Sequence, residues 1–394
     1  MKSHSYIGIL VQNKRDRKGI LQLYQRYCPE DIELYAFCTE DVQWRTRHIK
    51  GLSLNRREWK ERLFPFPDAI YNRIFNRNTD SLKRLVEAIG PNRCFNMINF
   101  FNKWTMYNLL KETEVSACIP ETFVYKPEEL GNMLYRFGLV FIKPFYGAQG
   151  KSVFRVVRMA NEEIHVSMHS LTASSICGSV EETRQLLSQH LSTGTYLIQE
   201  GIRTRLWNNK YFDIRVLMQK DGFGDWTVTN IASRVAYRQY FNTAVCEDIL
   251  DARALLPQLF ERDAHIVVSQ TLHQVALSAA KEAEAQLGLL GELSVDFVFD
   301  MQDKLWIIEM NGKPHKSIYN EIPGVTFTTR VYERPLEYAG YLAQAAAEEP
   351  QHPHTEETTL LHAACDSIGI ETSAYDIVKL LSPKQYPLYR PEDY

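Results

Sequence analysis

No two of the seven cysteines (Cys28, Cys38, Cys94, Cys118, Cys177, Cys246 and Cys365) stand close enough to make a zinc-binding pair or a thioredoxin-type motif. Their odd number and wide spacing also argue against a disulfide framework, so they read as small buried hydrophobes in a reducing compartment. An excess of one charge is missing too. With 45 Lys and Arg against 48 Asp and Glu, the formal charge is −3, which gives no global attraction to nucleic acid or to an anionic membrane. No stretch approaches the roughly 18 to 20 apolar residues needed to cross a bilayer. Met1 to Asn13 lacks the long apolar core of a signal peptide. The expectation is a chain that is cytoplasmic at synthesis, with no membrane span and no nucleic-acid partner.

A phosphate-binding P-loop is also absent. Lys143-Pro144-Phe145-Tyr146-Gly147-Ala148-Gln149-Gly150-Lys151-Ser152 contains a Gly-Lys-Ser fragment, but Phe145 stands where that motif needs glycine. Ser152 leads into Val153-Phe154-Arg155-Val156-Val157, a β-branched run, where the motif needs a helix. No internal repeat is evident.

The chain does carry an α/β pattern long enough, at 394 residues, for two or three cores. Tyr6 to Val11, Gly19 to Tyr27 and Ile32 to Cys38 read as strand, helix, strand. Ala69 to Phe75 and Ser81 to Ile89 extend the pattern, giving a first α/β domain over residues 1–95. A helix over Lys103 to Lys111, a strand opening at Phe123, then Val140 to Pro144, a glycine loop and a strand at Val153 to Val157 make a small α+β lobe, 96–195. Strand-like runs at Tyr196 to Gln199, Tyr211 to Gln219, Trp226 to Val235, Leu293 to Phe299 and Leu305 to Met310, with a long helix over His265 to Leu287, make a second lobe. It covers 196–347 and ends in a helix over Leu336 to Ala347. Residues 348–394 read as a polar linker and a tail that could hold helices over Thr359 to Leu381. His352 and His354, flanking a proline there, read as solvated.

Two constellations carry chemistry. On a hairpin turning at Asp300-Met301-Gln302-Asp303-Lys304, strand alternation puts Glu309 and Asn311 on one face and returns Asp296 beside them. Two carboxylates and an amide oxygen suit magnesium, which keeps water and substrate phosphates in the rest of its shell. Asp300 alternates onto the Asp296 face but falls near the turn. The plain alternative is a pair of acids decorating a solvent face. Upstream, Lys143 with Gly147, Gly150 and Ser152 can offer a cation and backbone N–H groups to phosphates; the plain alternative is a basic hairpin. Together they point to ATP chemistry. Gln199-Glu200-Gly201-Ile202 ends a strand where backbone could meet a purine edge, or is a simple strand end. Arg215 and Arg234 could stabilise a transferring phosphoryl group, or could simply pair with Asp213.

In order and spacing, Lys103, Lys143 with its glycine loop, Gln199-Glu200-Gly201-Ile202, Asp213-Ile214-Arg215 and Asp296 with Glu309 and Asn311 resemble the ATP-grasp superfamily. Asn102-Lys103-Trp104, Gln199-Glu200-Gly201-Ile202 and Asp213-Ile214-Arg215-Val216 look most like its YheC/YheD group of endospore coat-associated proteins. The likeness spans roughly residues 95 to 335. It implies two α+β lobes behind an N-terminal α/β domain, gripping ATP. Lys103 and Lys143 would lie on the phosphates, Gln199, Glu200 and Ile202 around adenine, and Asp296, Glu309 and Asn311 on Mg2+. It further implies activation of a carboxylate as an acyl phosphate and its capture by an amine or other nucleophile from an amino acid, a peptide or a protein tail. Assembly into the spore coat with other coat proteins is the setting it suggests. The chain departs from relatives at Ser294, where many carry arginine, and at Leu206, where some carry an acidic ribose contact. It departs again at Asn242-Thr243-Ala244-Val245-Cys246, where peptide ligases carry an asparagine and a glycine pair. A non-catalytic ATP-binding protein of the coat and phosphotransfer to another acceptor stay open beside the ligase.

Overall fold

The computed structural model describes residues 4–348, apart from 56–57, 76–79, 99, 148, 192–194, 262 and 324–327. Up to Ala346 the described residues form one compact unit. The helices expected over Thr359 to Leu381, the linker after Glu348 and its two histidines lie outside the described residues.

The first sheet is built from β1 (Ser5–Leu10), β2 (Ile32–Phe37), β3 (Val42–Gln43), β4 (His48–Asn55), β5 (Glu58–Pro65), β6 (Ala69–Asn72) and β7 (Cys94–Phe95), with helices α1 (Asp16–Tyr24) and α2 (Asp80–Ile89). Strands β2, β1, β6 and β7 run parallel in that order. The apolar runs read from sequence are these parallel strands, because strands covered on both faces need no alternation. Sequence reading missed the β4–β5 hairpin, whose outer strand is mostly exposed and charged.

Next come α3 (Lys103–Leu110), β8 (Thr122–Val124), α4 (Leu130–Phe137), β9 (Leu139–Pro144), β10 (Phe154–Arg158), β11 (Ile164–Met168), β12 (Ser175–Cys177), α5 (Val180–His190) and β13 (Tyr196–Glu200). Their sheet runs β12-β11-β10-β9-β13-β8. Tyr196–Glu200, grouped in sequence with the second lobe, is hydrogen-bonded between β9 and β8 of this sheet. A strand's alternation names its faces and leaves its partners open. Val140, Ile142, Phe154, Val156 and Ile198 bury against α4 and α5. Alternation therefore turns Phe141, Lys143, Arg155 and Gln199 to the opposite face.

The remaining elements are β14 (Phe212–Lys220), β15 (Trp226–Ala236), β16 (Cys246–Asp251), α6 (Ala252–Leu259), α7 (Ala264–Leu287), β17 (Glu292–Phe299), β18 (Leu305–Asn311) and α8 (Thr328–Glu348). Helix α8 starts eight residues before the expected Leu336 and accommodates Pro335 within it. The sheet β16-β15-β14-β17-β18 is antiparallel throughout. On one face Ile214, Val216, Val295 and Phe297 meet α6 and α7. There Ala276, Ala279, Ala280 and Ala283 recur at helical spacing and let the long helix lie close. The other face carries Asp213, Arg215, Leu217 and Gln219 from β14 and Glu292, Ser294 and Asp296 from β17. Its middle, Leu217 with Ala232 and Ile249, joins a core with Tyr24, Tyr71, Tyr319 and α8.

Candidate functional site

The site grows from the β17–β18 hairpin. Asp296 lies directly opposite Glu309, and Ser294 opposite Asn311, with a bulge just after Asp296. Asp300 closes the turn: its Oδ1 accepts from the Gln302 and Lys304 N–H groups and its Oδ2 from Trp306 Nε1, each at 2.9 Å. That carboxylate replaces the Asn-Gly signal the turn lacks.

Asp296 is 1% exposed. Its Oδ1 accepts from Arg215 Nε at 2.7 Å, and its Oδ2 accepts from Arg215 Nη2 at 2.6 Å and Arg234 Nη2 at 3.0 Å. Burial pushes this carboxyl up, and the two guanidinium groups more than offset it, holding Asp296 below the usual aspartate range. Arg234 also forks onto Asp213, with Nε 2.9 Å from Oδ1. The plain pairing weighed for Asp213 is thus present.

Glu309 is partly exposed, and its Oε1 lies 2.9 Å from Lys103 Nζ. Desolvation pushes its carboxyl up, but Lys103 prevails over that and over the Asp296 charge, leaving Glu309 lowered. Lys143 is pushed down to about 8 by desolvation, with Lys103 adding repulsion and Glu309 opposing it. Both lysines thus bear on the Glu309 carboxylate.

Lys103 is placed by its helix. Asn102 Oδ1 caps α3, accepting from Trp104 N at 2.9 Å and Thr105 N at 3.1 Å. The Lys103 N–H donates to Phe145 O, and Nζ donates to Gly147 O at 3.1 Å. In the loop beyond, Gln149, Gly150 and Ser152 have φ of 58°, 67° and 58°. Left-handed residues of this kind turn successive N–H groups into an anion-binding concavity.

At the hinge, Lys143 Nζ donates to Gln199 Oε1 at 2.8 Å, and Gln199 Nε2 donates to Thr122 Oγ1 at 2.9 Å. Glu200 turns away: its Oε2 accepts from the Glu121 N–H at 3.1 Å. Gly201 lies so close to Leu139 that an added Cβ would sit 2.8 Å from its carbonyl oxygen. Ile202 comes next, partly buried.

The fold therefore gathers Lys103, Lys143, Gln199, Arg215, Arg234, Asp296, Glu309 and Asn311, and leaves the Glu200 carboxylate on another task. Among the described residues no three His, Cys, Asp or Glu form a metal cluster. Two carboxylates with the Asn311 amide fit a magnesium ion that takes its other ligands from phosphate and water. Oδ1 of Asp296 carries one hydrogen bond and keeps a lone pair, while the buried Nδ2 of Asn311 has no partner. The sequence reading missed Tyr319, buried beside the Arg215, Arg234 and Asp296 charges. It also missed the loop after β15, where Thr243 Oγ1 donates to Asp213 Oδ2. No periodic signal marks either.

Comparison with known proteins bears on the family. A family model described as YheC/D like ATP-grasp matches residues 92–342. The endospore coat-associated protein YheD of Bacillus subtilis (strain 168) is 27% identical over 332 residues, 80% of this chain and 72% of that protein. YheC of the same organism is 24% identical over 357 residues, 86% of this chain and 95% of its own length. Among solved structures, D-alanyl-alanine synthetase A from Vibrio cholerae O1 biovar eltor str. N16961 aligns with a TM-score of 0.48. The identity is 11%, over 88% of this chain and 98% of that one.

Proposed function

The chain belongs to the YheC/D-like ATP-grasp family, and we propose that it is an ATP- and Mg2+-dependent ligase. It would activate a carboxylate as an acyl phosphate and join it to an amine of an amino acid, a peptide or a protein tail, with spore coat formation as its setting. One observation carries this reading. The carboxylates Asp296 and Glu309 stand opposite each other across a strand pair, and Lys103, which also donates to Gly147 of the glycine loop, reaches Glu309.

On this reading Lys143 and the N–H groups around Gly147, Gly150 and Ser152 hold phosphates. Lys103, now 2.9 Å from Glu309, exchanges that carboxylate for phosphate oxygen. Gln199, Glu200 and Ile202 border adenine at the hinge. A magnesium ion at Asp296, Glu309 and Asn311 would supply charge neutralisation for the triphosphate. Arg215 and Arg234, fixed by Asp296 and Asp213, present guanidinium charge that needs no reorganisation as negative charge develops. Division of the chain at 1–95, 96–195, 196–347 and 348–394 belongs to the same proposal, with the 195/196 boundary moved past Glu200 because β13 pairs with β8 and β9.

A second reading, an ATP-binding coat protein without turnover, draws on two features. Two arginines occupy three of the hydrogen-bonding positions on Asp296, and Ser294 is fully buried with an unpartnered hydroxyl. ADP release with a panel of amino acids and short peptides, wild type against Glu309→Gln, separates the two. The ligase gives turnover that one or more of these stimulates and that the substitution removes. Magnesium-dependent ATP binding with no stimulated turnover supports the second reading.

A further inference from the structure

The loop from Tyr237 to Ala244, between β15 and β16, reaches across to the small lobe. The Leu171 N–H donates to Gln239 O at 2.7 Å, Ser170 Oγ donates to the same oxygen at 3.2 Å, and the Phe241 N–H donates to His169 O at 2.9 Å. The Phe241 ring meets Phe141, on the cleft face of β9, edge-on at 5.5 Å. His169, Gln239 and Gln149 all have positive φ, at 61°, 71° and 58°. Such backbone costs free energy in non-glycine residues and persists where surrounding contacts enforce it.

Asn242 is the centre of this junction and is 9% exposed. Its Oδ1 accepts from the Ala244 N–H at 3.0 Å, and its Nδ2 donates to Gln149 O at 3.1 Å and contacts His169 Nδ1 at 2.8 Å. These partners fix the amide's orientation: an N–H needs the oxygen, and a carbonyl needs the nitrogen. The second Nδ2 hydrogen then has His169 Nδ1 as its acceptor, so the imidazole carries its proton on Nε2. Asn242 also lies against Gly150, where an added Cβ would sit 2.4 Å from Nδ2. Its neighbour Thr243 ties the loop to Asp213, which holds Arg234.

We propose that Asn242 is a positioning residue: by donating to Gln149 O and His169 Nδ1 from the other lobe, it holds the glycine loop in the backbone shape that receives ATP phosphates. This rests on the nucleotide reading of that loop. It also gives Gly150 a second reason to be glycine, since a side chain there would displace Asn242.

The test is calorimetric titration of full-length protein with Mg-ATP and with AMP, for wild type, Asn242→Ala, His169→Leu and His169→Gln. Loss of the two hydrogen bonds that reach Gln149 and His169 predicts ATP binding weakened roughly tenfold in Asn242→Ala. AMP, which engages the hinge and little of the loop, keeps its affinity within about twofold. His169→Gln, which restores an acceptor, loses less than His169→Leu. A merely structural role would lower ATP and AMP affinity together, and that result overturns the proposal, as does an unchanged ATP affinity. Should Asn242→Ala fail to fold, the two His169 variants decide: equal ATP affinities in both refute it. Wild type that binds no ATP sinks the nucleotide reading itself, whereas wild-type binding with indifferent variants sinks the positioning role alone.

Discussion

Asp296 and Glu292 lie four residues apart on one strand and one face of one sheet. Each is a buried carboxylate held by two cations, yet they differ in how full they are. Glu292 accepts at Oε1 from Tyr71 OH at 2.5 Å and Arg73 Nη1 at 2.9 Å, and at Oε2 from Gln219 Nε2 at 3.0 Å and Lys316 Nζ at 2.5 Å. Four donors saturate a carboxylate. They come from β6 and the residues just after it, from β14 and from the segment after β18, so this cluster fastens the first sheet to the antiparallel sheet that carries Asp296. Asp296 takes three hydrogen bonds, all from arginines on β14 and β15 of its own sheet, and keeps capacity on Oδ1, with Glu309 opposite on β18. Burial and charge pairing look alike at the two positions. Spare acceptor capacity and a partly exposed acidic neighbour set Asp296 apart and make it the one proposed to hold an ion.

The largest expected effect falls on the saturated cluster. Glu292→Ala leaves Arg73 and Lys316 without their buried counter-charge. Denaturant unfolding should show a loss on the order of 3–5 kcal/mol, while ATP affinity of the folded fraction stays near wild type. Glu309→Gln should do the reverse: ADP release falls about 10²- to 10³-fold, as for removal of one electrostatic contact to the reacting group, with the unfolding midpoint almost unmoved. Equal stability losses in both variants would erase the distinction.

Lys143 supplies a smaller effect. With its ammonium pushed down to about 8 against an ordinary lysine value near 10.4, the folded protein holds that proton only below about pH 8. ATP favours the charged form, so binding should weaken as pH rises through 8 and should take up a proton above it, an uptake lost in Lys143→Arg. The unfolded chain binds more protons across the same window, so the Lys143 contribution to stability rises with pH there. Titration calorimetry in two buffers of different ionisation enthalpy measures the uptake. Smallest is Asp300→Ala, which removes the turn's closing acceptors. These bonds are exposed or half-buried, so their loss should cost about 1 kcal/mol in all and leave ATP affinity unchanged.

Much of the fold was legible because periodicity reports burial: β1, β2, β6, β14, β15, β17, β18 and α7 were read within a few residues. What failed has a physical cause. The β4–β5 hairpin is charged on its exposed strand, and β13 was given the wrong sheet because pairing partners leave no local trace. The site's carboxylates were legible as acids on paired strands, but their register was not: the bulge after Asp296 sets Glu309, rather than Ile308, opposite it. The arginine closure of Asp296 was foreseen only as a pairing of Asp213, since Arg215 meets Asp296 across strands 81 residues apart in sequence. The Asn242 contact was invisible, because His169 and Gln149 reach it through loop geometry that no repeat encodes.

Function turns on whether an ion and a triphosphate meet at the Asp296–Glu309 pair, and a crystal structure of the full chain with Mg2+ and a non-hydrolysable ATP analogue decides it. The expected result is an ion about 2.1 Å from an oxygen of Glu309 and from Oδ1 of Asp296, with Lys143 on phosphate oxygen and Lys103 turned from Glu309 to the nucleotide. A nucleotide bound elsewhere, or bound with no ion while Lys103 still pairs with Glu309, would contradict it.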